Sequence, residues 1–324
     1  MIRKYFLQIL IILLMLAIAW VLFSIREDKT EISKSPYKPI QASIRQSAGD
    51  KNISQEFFPV RNWSVEEPEI LAKSAIVLNF KPNNPQNNIL YQKNINQVLP
   101  IASLTKVMTA IIVLENFDLE EVIRVSKNSV TITGDNGGLI RGEELKIKDL
   151  LYIMLMESSN DAAMALASDN PRLAYEEFIN LMNSKAKELE FKNTVFSDPI
   201  GLSPDNQSTA LEMANLTRYA FNFPLLLEIL KTPATTILSI DKRFIHNLTN
   251  TNKLLGRIPQ IIGGKTGFTD EAGGCMLTVS NISNVYSEPV ESNDYLITVV
   301  LGSSEREDDT EKLISWAREA WLWE

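Results

Sequence analysis

The feature that most restricts the fold is a double change in apolar periodicity along the chain. Ser74-Ala75-Ile76-Val77-Leu78-Asn79-Phe80 and Ile89-Leu90-Tyr91-Gln92-Lys93 read as two strands. Between them Lys81 to Asn88, rich in Pro and Asn, reads as the turn of a hairpin. From residue 101 to 220 the period becomes helical. Thr105 to Glu115, Ile147 to Met156, Asp161 to Ala167 and Tyr175 to Leu189 each repeat apolar residues at helix spacing. A further segment, Thr209 to Tyr219, opens with Thr209 and has Glu212 three residues on, the capping-box pattern. Apolar, β-leaning runs return at Gly273 to Ile282 and Tyr295 to Gly302. A last helix is expected over Thr310 to Trp323, with Glu307, Asp308 and Asp309 at its positive end. The first and last thirds must therefore share one sheet, with the middle third inserted as helices. The expectation is an α+β fold with an all-helical subdomain.

The first 25 residues stand apart. Arg3 and Lys4 precede an apolar run from Tyr5 to Ile25, broken only by Gln8 and Ser24. Such a run reaches about 30 Å as a helix, enough to span a bilayer. Trp20 and Phe23 near its end fit an interfacial position. Ala17-Ile18-Ala19 has the small-x-small form of a cleavage site, but the apolar run continues past it, which favours an uncleaved anchor. A short flank before the first apolar segment implies export of the chain beyond it, giving a single-pass membrane protein with its globular part outside. Residues 26–66 are polar, carry Pro36, Pro39 and Pro59, and read as a linker. The expected organisation is thus 1–25 anchor, 26–66 linker and 67–324 globular domain.

Charge and rare residues exclude several classes. A net charge of −8 argues against nucleic acid as a partner. The single cysteine, Cys275, cannot form an internal disulfide, and one histidine, His246, leaves no His-rich metal site. There is no G-x-S-x-G, no P-loop and no H-E-x-x-H. His246 lacks a nucleophile elbow and reads as an exposed or locally bonded side chain.

Chemistry is carried by three short patterns. Ser103-Leu104-Thr105-Lys106 places a hydroxyl and an amine one helical turn apart. A buried, neutral lysine could take the serine proton without a histidine. The pattern alone is weak: Ser35-Pro36-Tyr37-Lys38 repeats it in the linker, and a serine there is more often a plain helix N-cap. Ser158-Ser159-Asn160 lies between two expected helices and offers a hydroxyl and an amide, although Ser126-Lys127-Asn128 has the same form. Gly263-Gly264-Lys265-Thr266-Gly267-Phe268-Thr269 suits a strand whose backbone a ligand approaches closely, with a cation and a hydroxyl for a carboxylate. The order of the three, spaced by 55 and then 107 residues, is far more specific than any one of them.

On these residues the chain resembles the serine-type D-alanyl-D-alanine carboxypeptidases, the low-molecular-weight penicillin-binding proteins of peptidase family S11. The likeness extends to Pro100-Ile101-Ala102-Ser103, Asp198-Pro199-Ile200-Gly201-Leu202, Ser208-Thr209-Ala210 and Gly264-Lys265-Thr266-Gly267-Phe268-Thr269. It implies a β-lactamase/transpeptidase-like fold with a mainly antiparallel sheet flanked by helices. It implies Ser103 as nucleophile, Lys106 as general base and Ser158 as proton relay. Asn160, Lys265, Thr266 and Phe268 would bind substrate, with the N–H groups of Ser103 and Phe268 as oxyanion hole. The substrates would be peptidoglycan stem peptides, β-lactam antibiotics would be covalent inhibitors, and neither metal nor cofactor is called for. Some members place an arginine where Asn250-Thr251-Asn252-Lys253-Leu254-Leu255 has Thr251. Carboxypeptidase and crosslink endopeptidase activity therefore both stay open. A class A β-lactamase would need a deacylating glutamate. Glu176-Glu177-Phe178-Ile179-Asn180 lies only 18 residues past Ser158 and reads as an exposed helix face. A non-catalytic cell-wall-binding protein on the same fold is a further alternative, disfavoured by the intact motifs.

Overall fold

In a computed structural model of the chain, residues 59–82, 88–282 and 294–322 are described, all within one compact unit, residues 39–324. Besides the short strands Leu99–Pro100, Val122–Arg124, Glu144–Lys146 and Gln207–Ser208, the described residues form β1 (Val60–Arg61), β2 (Ser74–Phe80), β3 (Asn88–Lys93), β4 (Ala234–Leu238), β5 (Ile245–Thr249), β6 (Ile261–Thr269), β7 (Gly273–Asn281), β8 (Tyr295–Ser303) and β9 (Trp321–Leu322). The longer helices are α1 (Thr105–Asn116), α2 (Ile147–Met156), α3 (Asn160–Ser168), α4 (Tyr175–Glu188), α5 (Ala210–Ala220), α6 (Pro224–Lys231) and α7 (Arg306–Glu319).

Five strands form one antiparallel sheet in the order β6-β7-β8-β2-β3. The first hairpin and the last strands thus join, as the switch in periodicity requires. Alternation sorts the side chains to two faces. Ile76, Leu78, Leu277, Val279, Ile297 and Val299 face the helical subdomain. Ala75, Val77, Leu296 and Val300 face α7 through Leu313, Trp316 and Ala317. β2 is buried at every position for that reason. α1 is buried from Thr105 to Leu114, which explains an apolar pattern that runs nearly all round the helix.

Two boundaries differ from expectation. The last helix spans Arg306–Glu319 rather than 310–323. It starts early because Asp309 in its first turn accepts from the N–H groups of Leu71 and Ala72 and from Ser303 Oγ. It stops early because Trp321 and Leu322 pair with Arg61 and Val60. That pairing also carries the fold upstream of residue 67, into a segment that reads as linker. Arg61 is fixed over the faces of Trp63, Trp316 and Trp321, with ring centroids 5.2, 4.8 and 6.0 Å away. The apolar segment 1–25 and residues 26–58 lie outside the described residues. Among those described, no helix is long and apolar enough to cross a membrane.

Candidate active site

Ser103 sits in a single 3-10 turn, Ala102–Leu104, that leads into α1. Residues i and i+3 eclipse in such a turn, which brings the Lys106 amine back over the serine. Lys106 Nζ is 2.9 Å from Ser103 Oγ, 2.8 Å from Asn160 Oδ1 and 2.8 Å from the Ile200 carbonyl. The side chain is fully buried. Burial pushes its pKa down to about 7, against the pull of the Asp198, Asp135 and Asp161 carboxylates. Near neutrality a large share of Lys106 is therefore the free amine, whose lone pair can accept the Ser103 proton.

The second motif occupies the connection between α2 and α3. Ser158 has φ of +61°, a strained conformation for a serine, and Ala102 beside the nucleophile has φ of +48°. Asn160 begins α3. Its N–H donates to the Asp135 carbonyl at 2.7 Å and its Nδ2 to the Thr133 carbonyl at 2.8 Å, which leaves Oδ1 for Lys106. The competing pattern at Ser126 has an ordinary structural job, because Ser126 Oγ caps the short helix Lys127–Val130.

The third motif lies on β6 at the edge of the sheet. Lys265 Nζ donates to Ser158 Oγ at 2.8 Å and to the Thr266 carbonyl at 2.8 Å. Burial holds its pKa well below the usual lysine value, and the positive charges of Lys106 and Arg306 add to the effect. The Thr266 and Thr251 hydroxyls are 2.8 Å apart. Phe268 is 63% exposed, so its side chain lies at the rim and only its backbone can serve the site. The geometry therefore brings all seven motif residues to one place: Ser103, Lys106, Ser158, Asn160, Lys265 and Thr266 through side chains or their hydrogen bonds, and Phe268 through β6.

Two glycines set the close approaches. A Cβ on Gly267 would lie 2.8 Å from the Ser103 nitrogen, so only glycine lets β6 run beside the serine. Gly201 has φ of +89°, and a Cβ there would overlap the Ala102 carbonyl, 2.5 Å from its carbon. Its segment is shaped by Asp198, which accepts from the N–H groups of Ile200, Gly201 and Ser203. The turn aims the Ile200 carbonyl at Lys106. Gly201→Ala is expected to cost about 2–4 kcal/mol of stability through a strained φ and displacement of the serine turn. Urea denaturation checks this: an unchanged midpoint would show that the turn tolerates a side chain.

Three participants carry no motif in the sequence. Arg306 Nη1 donates to the Gly267 carbonyl at 2.7 Å, on the same peptide unit as the Phe268 N–H. Glu143 and the loop at residues 131–142 wrap the second motif. His246 is buried, not exposed or locally bonded. It bridges Glu143 and Gly137, more than 100 residues away in sequence. The β4–β5 hairpin that presents it has no clear turn signal in the sequence. Glu176, Glu177 and Asn180 are exposed on α4, while Phe178 is buried, so no glutamate of that segment reaches Ser103. Cys275 is buried, and its thiol is pushed up to about 11, which keeps it protonated.

A family model described as D-alanyl-D-alanine carboxypeptidase matches residues 61–305. A D-alanyl-D-alanine carboxypeptidase of Bacillus subtilis is 32% identical over 256 residues, covering 76% of the chain but only 62% of that relative. A D-alanyl-D-alanine endopeptidase of Pseudomonas aeruginosa is 34% identical over 223 residues, covering 67% of the chain and 69% of that protein. Among solved structures, the DD-transpeptidase of Streptomyces K15 superposes with a TM-score of 0.69 at 27% identity, over 78% of the chain and 99% of that structure.

Proposed function

The chain belongs to the D-alanyl-D-alanine carboxypeptidase family of serine peptidases, and from that premise we propose that it hydrolyses the terminal D-Ala-D-Ala bond of peptidoglycan stem peptides through an acyl-enzyme on Ser103. The observation that carries this is the amine of Lys106, 2.9 Å from Ser103 Oγ and lowered to a pKa of about 7.

Neutral Lys106 takes the Ser103 proton as Oγ attacks the penultimate D-alanine carbonyl. The resulting oxyanion is held by the N–H groups of Ser103 and Phe268, whose peptide is polarised by Arg306. The C–N bond then breaks. The proton passes from Lys106 to the leaving amine by way of Ser158, which Lys265 keeps oriented. Water attacks the ester, gives up its proton to Lys106 and restores the Ser103 hydroxyl. Thr266, Thr251 and Lys265 take the terminal carboxylate. A β-lactam would acylate the same serine and persist, since no exposed-helix glutamate of the Glu176 segment is placed to activate water. The apolar segment 1–25 would tether the catalytic domain on the outer side of the cytoplasmic membrane, where stem peptides are found.

One observation favours a second reading, crosslink endopeptidase. Thr251 brings a hydroxyl rather than a guanidinium to the carboxylate subsite, which weakens the grip on a free terminus and leaves room for a larger leaving group. The Pseudomonas relative carries the endopeptidase name. Mass spectrometry of muropeptides after incubation separates the two: loss of one alanine from pentapeptides supports the carboxypeptidase, conversion of crosslinked dimers to monomers the endopeptidase. Thr251→Arg is expected to raise kcat/KM on pentapeptide about 10-fold, the worth of one charge-assisted hydrogen bond. An unchanged or lower value would show that Thr251 does not face the carboxylate.

A further inference from the structure

We propose that His246, the only histidine of the chain, is a positioning residue that holds the loop at residues 131–142 against Asn160 and so keeps the Asn160 amide on the Lys106 amine. This rests on the reading of Lys106 as the base for Ser103.

The loop is poorly suited to hold itself. It contains four glycines, at 134, 137, 138 and 142, and most of its residues are exposed. Such backbone is entropically costly to fix. Yet it supplies both acceptors that orient Asn160, the carbonyls of Thr133 and Asp135. It also carries the Asp135 carboxylate, which acts on the charges of both active-site lysines. Two pegs fasten it. Asp161, next to Asn160, accepts from the N–H groups of Gly137 and Leu139 at 2.9 and 3.0 Å. The other peg is His246, reaching over from β5. Its Nδ1 lies 3.2 Å from the Gly137 carbonyl and its Nε2 lies 2.7 Å from Glu143 Oε1. Glu143 Oε2 in turn accepts from the Ile140 N–H at 3.0 Å.

The acceptors decide the protonation state. A carbonyl cannot donate, so Nδ1 must carry a hydrogen. The Glu143 carboxylate also accepts, so Nε2 carries one too. Both contacts together need the imidazolium, or its equivalent with the second proton on Glu143. The groups facing His246 all favour that charge: Glu143 directly after the loop and Asp161 on α3, with Glu157 after α2 also within electrostatic reach. The hydrogen bond to Glu143 is the main cause of a pKa raised above the usual histidine value. Both contacts are therefore present below the ordinary histidine value, and one of them is lost as pH rises through the raised value. Lys106 works the other way, becoming a competent base as pH rises through about 7. Acylation therefore carries two opposed pH dependences, a rise set by the Lys106 amine and a fall set by the His246 clasp.

The test is the rate of acylation by a fluorescent penicillin, measured from about pH 5 to about pH 10 in wild type, His246→Ala and His246→Gln. Circular dichroism is recorded alongside. The expected result is a rate about 10-fold lower at the optimum in His246→Ala, with the alkaline limb gone. In His246→Gln, whose amide donates at every pH, the rate is largely restored and the alkaline limb is still absent. A His246→Ala protein with wild-type rate and profile overturns the proposal. So does an alkaline limb that persists at the same pH in His246→Gln, which decides the matter if the alanine variant unfolds. Ser103→Ala is run in parallel. Label retained on it would sink the nucleophile assignment itself, an outcome separate from any behaviour of the His246 variants.

Discussion

Ser103→Ala is expected to abolish covalent labelling by a fluorescent penicillin and to reduce peptide hydrolysis by roughly 10⁴- to 10⁶-fold. The substitution removes the one hydroxyl that, among the described residues, is hydrogen-bonded to the Lys106 amine, at 2.9 Å. Ser158 is a nucleophile by residue type, but its Oγ accepts from Lys265, and its part in the proposed cycle is to pass a proton, not to attack. The fold should be unaffected, because Ser103 lies in a turn held by its backbone and by the packing of Ala102 and Leu104. Intact-mass spectrometry after incubation with benzylpenicillin gives the answer. A mass increase in the variant equal to that in wild type would mean that another residue is acylated.

Lys106→Ala is the second large effect. It should lower the acylation rate by about 10²- to 10⁴-fold, the usual worth of a positioned general base. The loss also shows in the pH dependence. Lys106 is active as the free amine, and its pKa falls from the ordinary lysine value to about 7 through burial. The wild-type rate should therefore rise through about pH 7, being low where the ammonium dominates. In Lys106→Ala that acid limb should vanish along with the rate. Lys265 cannot substitute, since its amine points to Ser158 and Thr266. A variant that keeps the wild-type acid limb would assign the titration to another group.

How much of the fold and site is legible in the sequence depends on the range of the interactions. The strands of the first hairpin, helix α2 and the cap of α5 at Thr209 are local features. Thr209 Oγ1 accepts from the Glu212 N–H at 3.1 Å, as the capping-box spacing implies, although the Glu212 carboxylate turns to Lys192, Asn193 and Thr194 instead of the cap. Ser103 and Lys106 are readable for the same reason: three residues apart at a helix start, they need only local geometry to meet. The last helix departs from its expected bounds because its ends are set by Asp309 reaching 238 residues back to Leu71 and by a two-residue pairing with Val60 and Arg61.

The sequence by itself determined which residue types could react and in what order along the chain they stand. Motif order pointed to the family, and the change in apolar periodicity to the joining of the two ends in one sheet. Only the tertiary structure decided the state of those residues. A lysine titrates near neutrality because burial strips its water, and burial is a property of the packed core, not of the S-x-x-K pattern. In the same way, nothing near His246 in the sequence foretells Gly137 or Glu143. The hairpin brings them together, and the bond to Glu143 raises the histidine's pKa above its usual value.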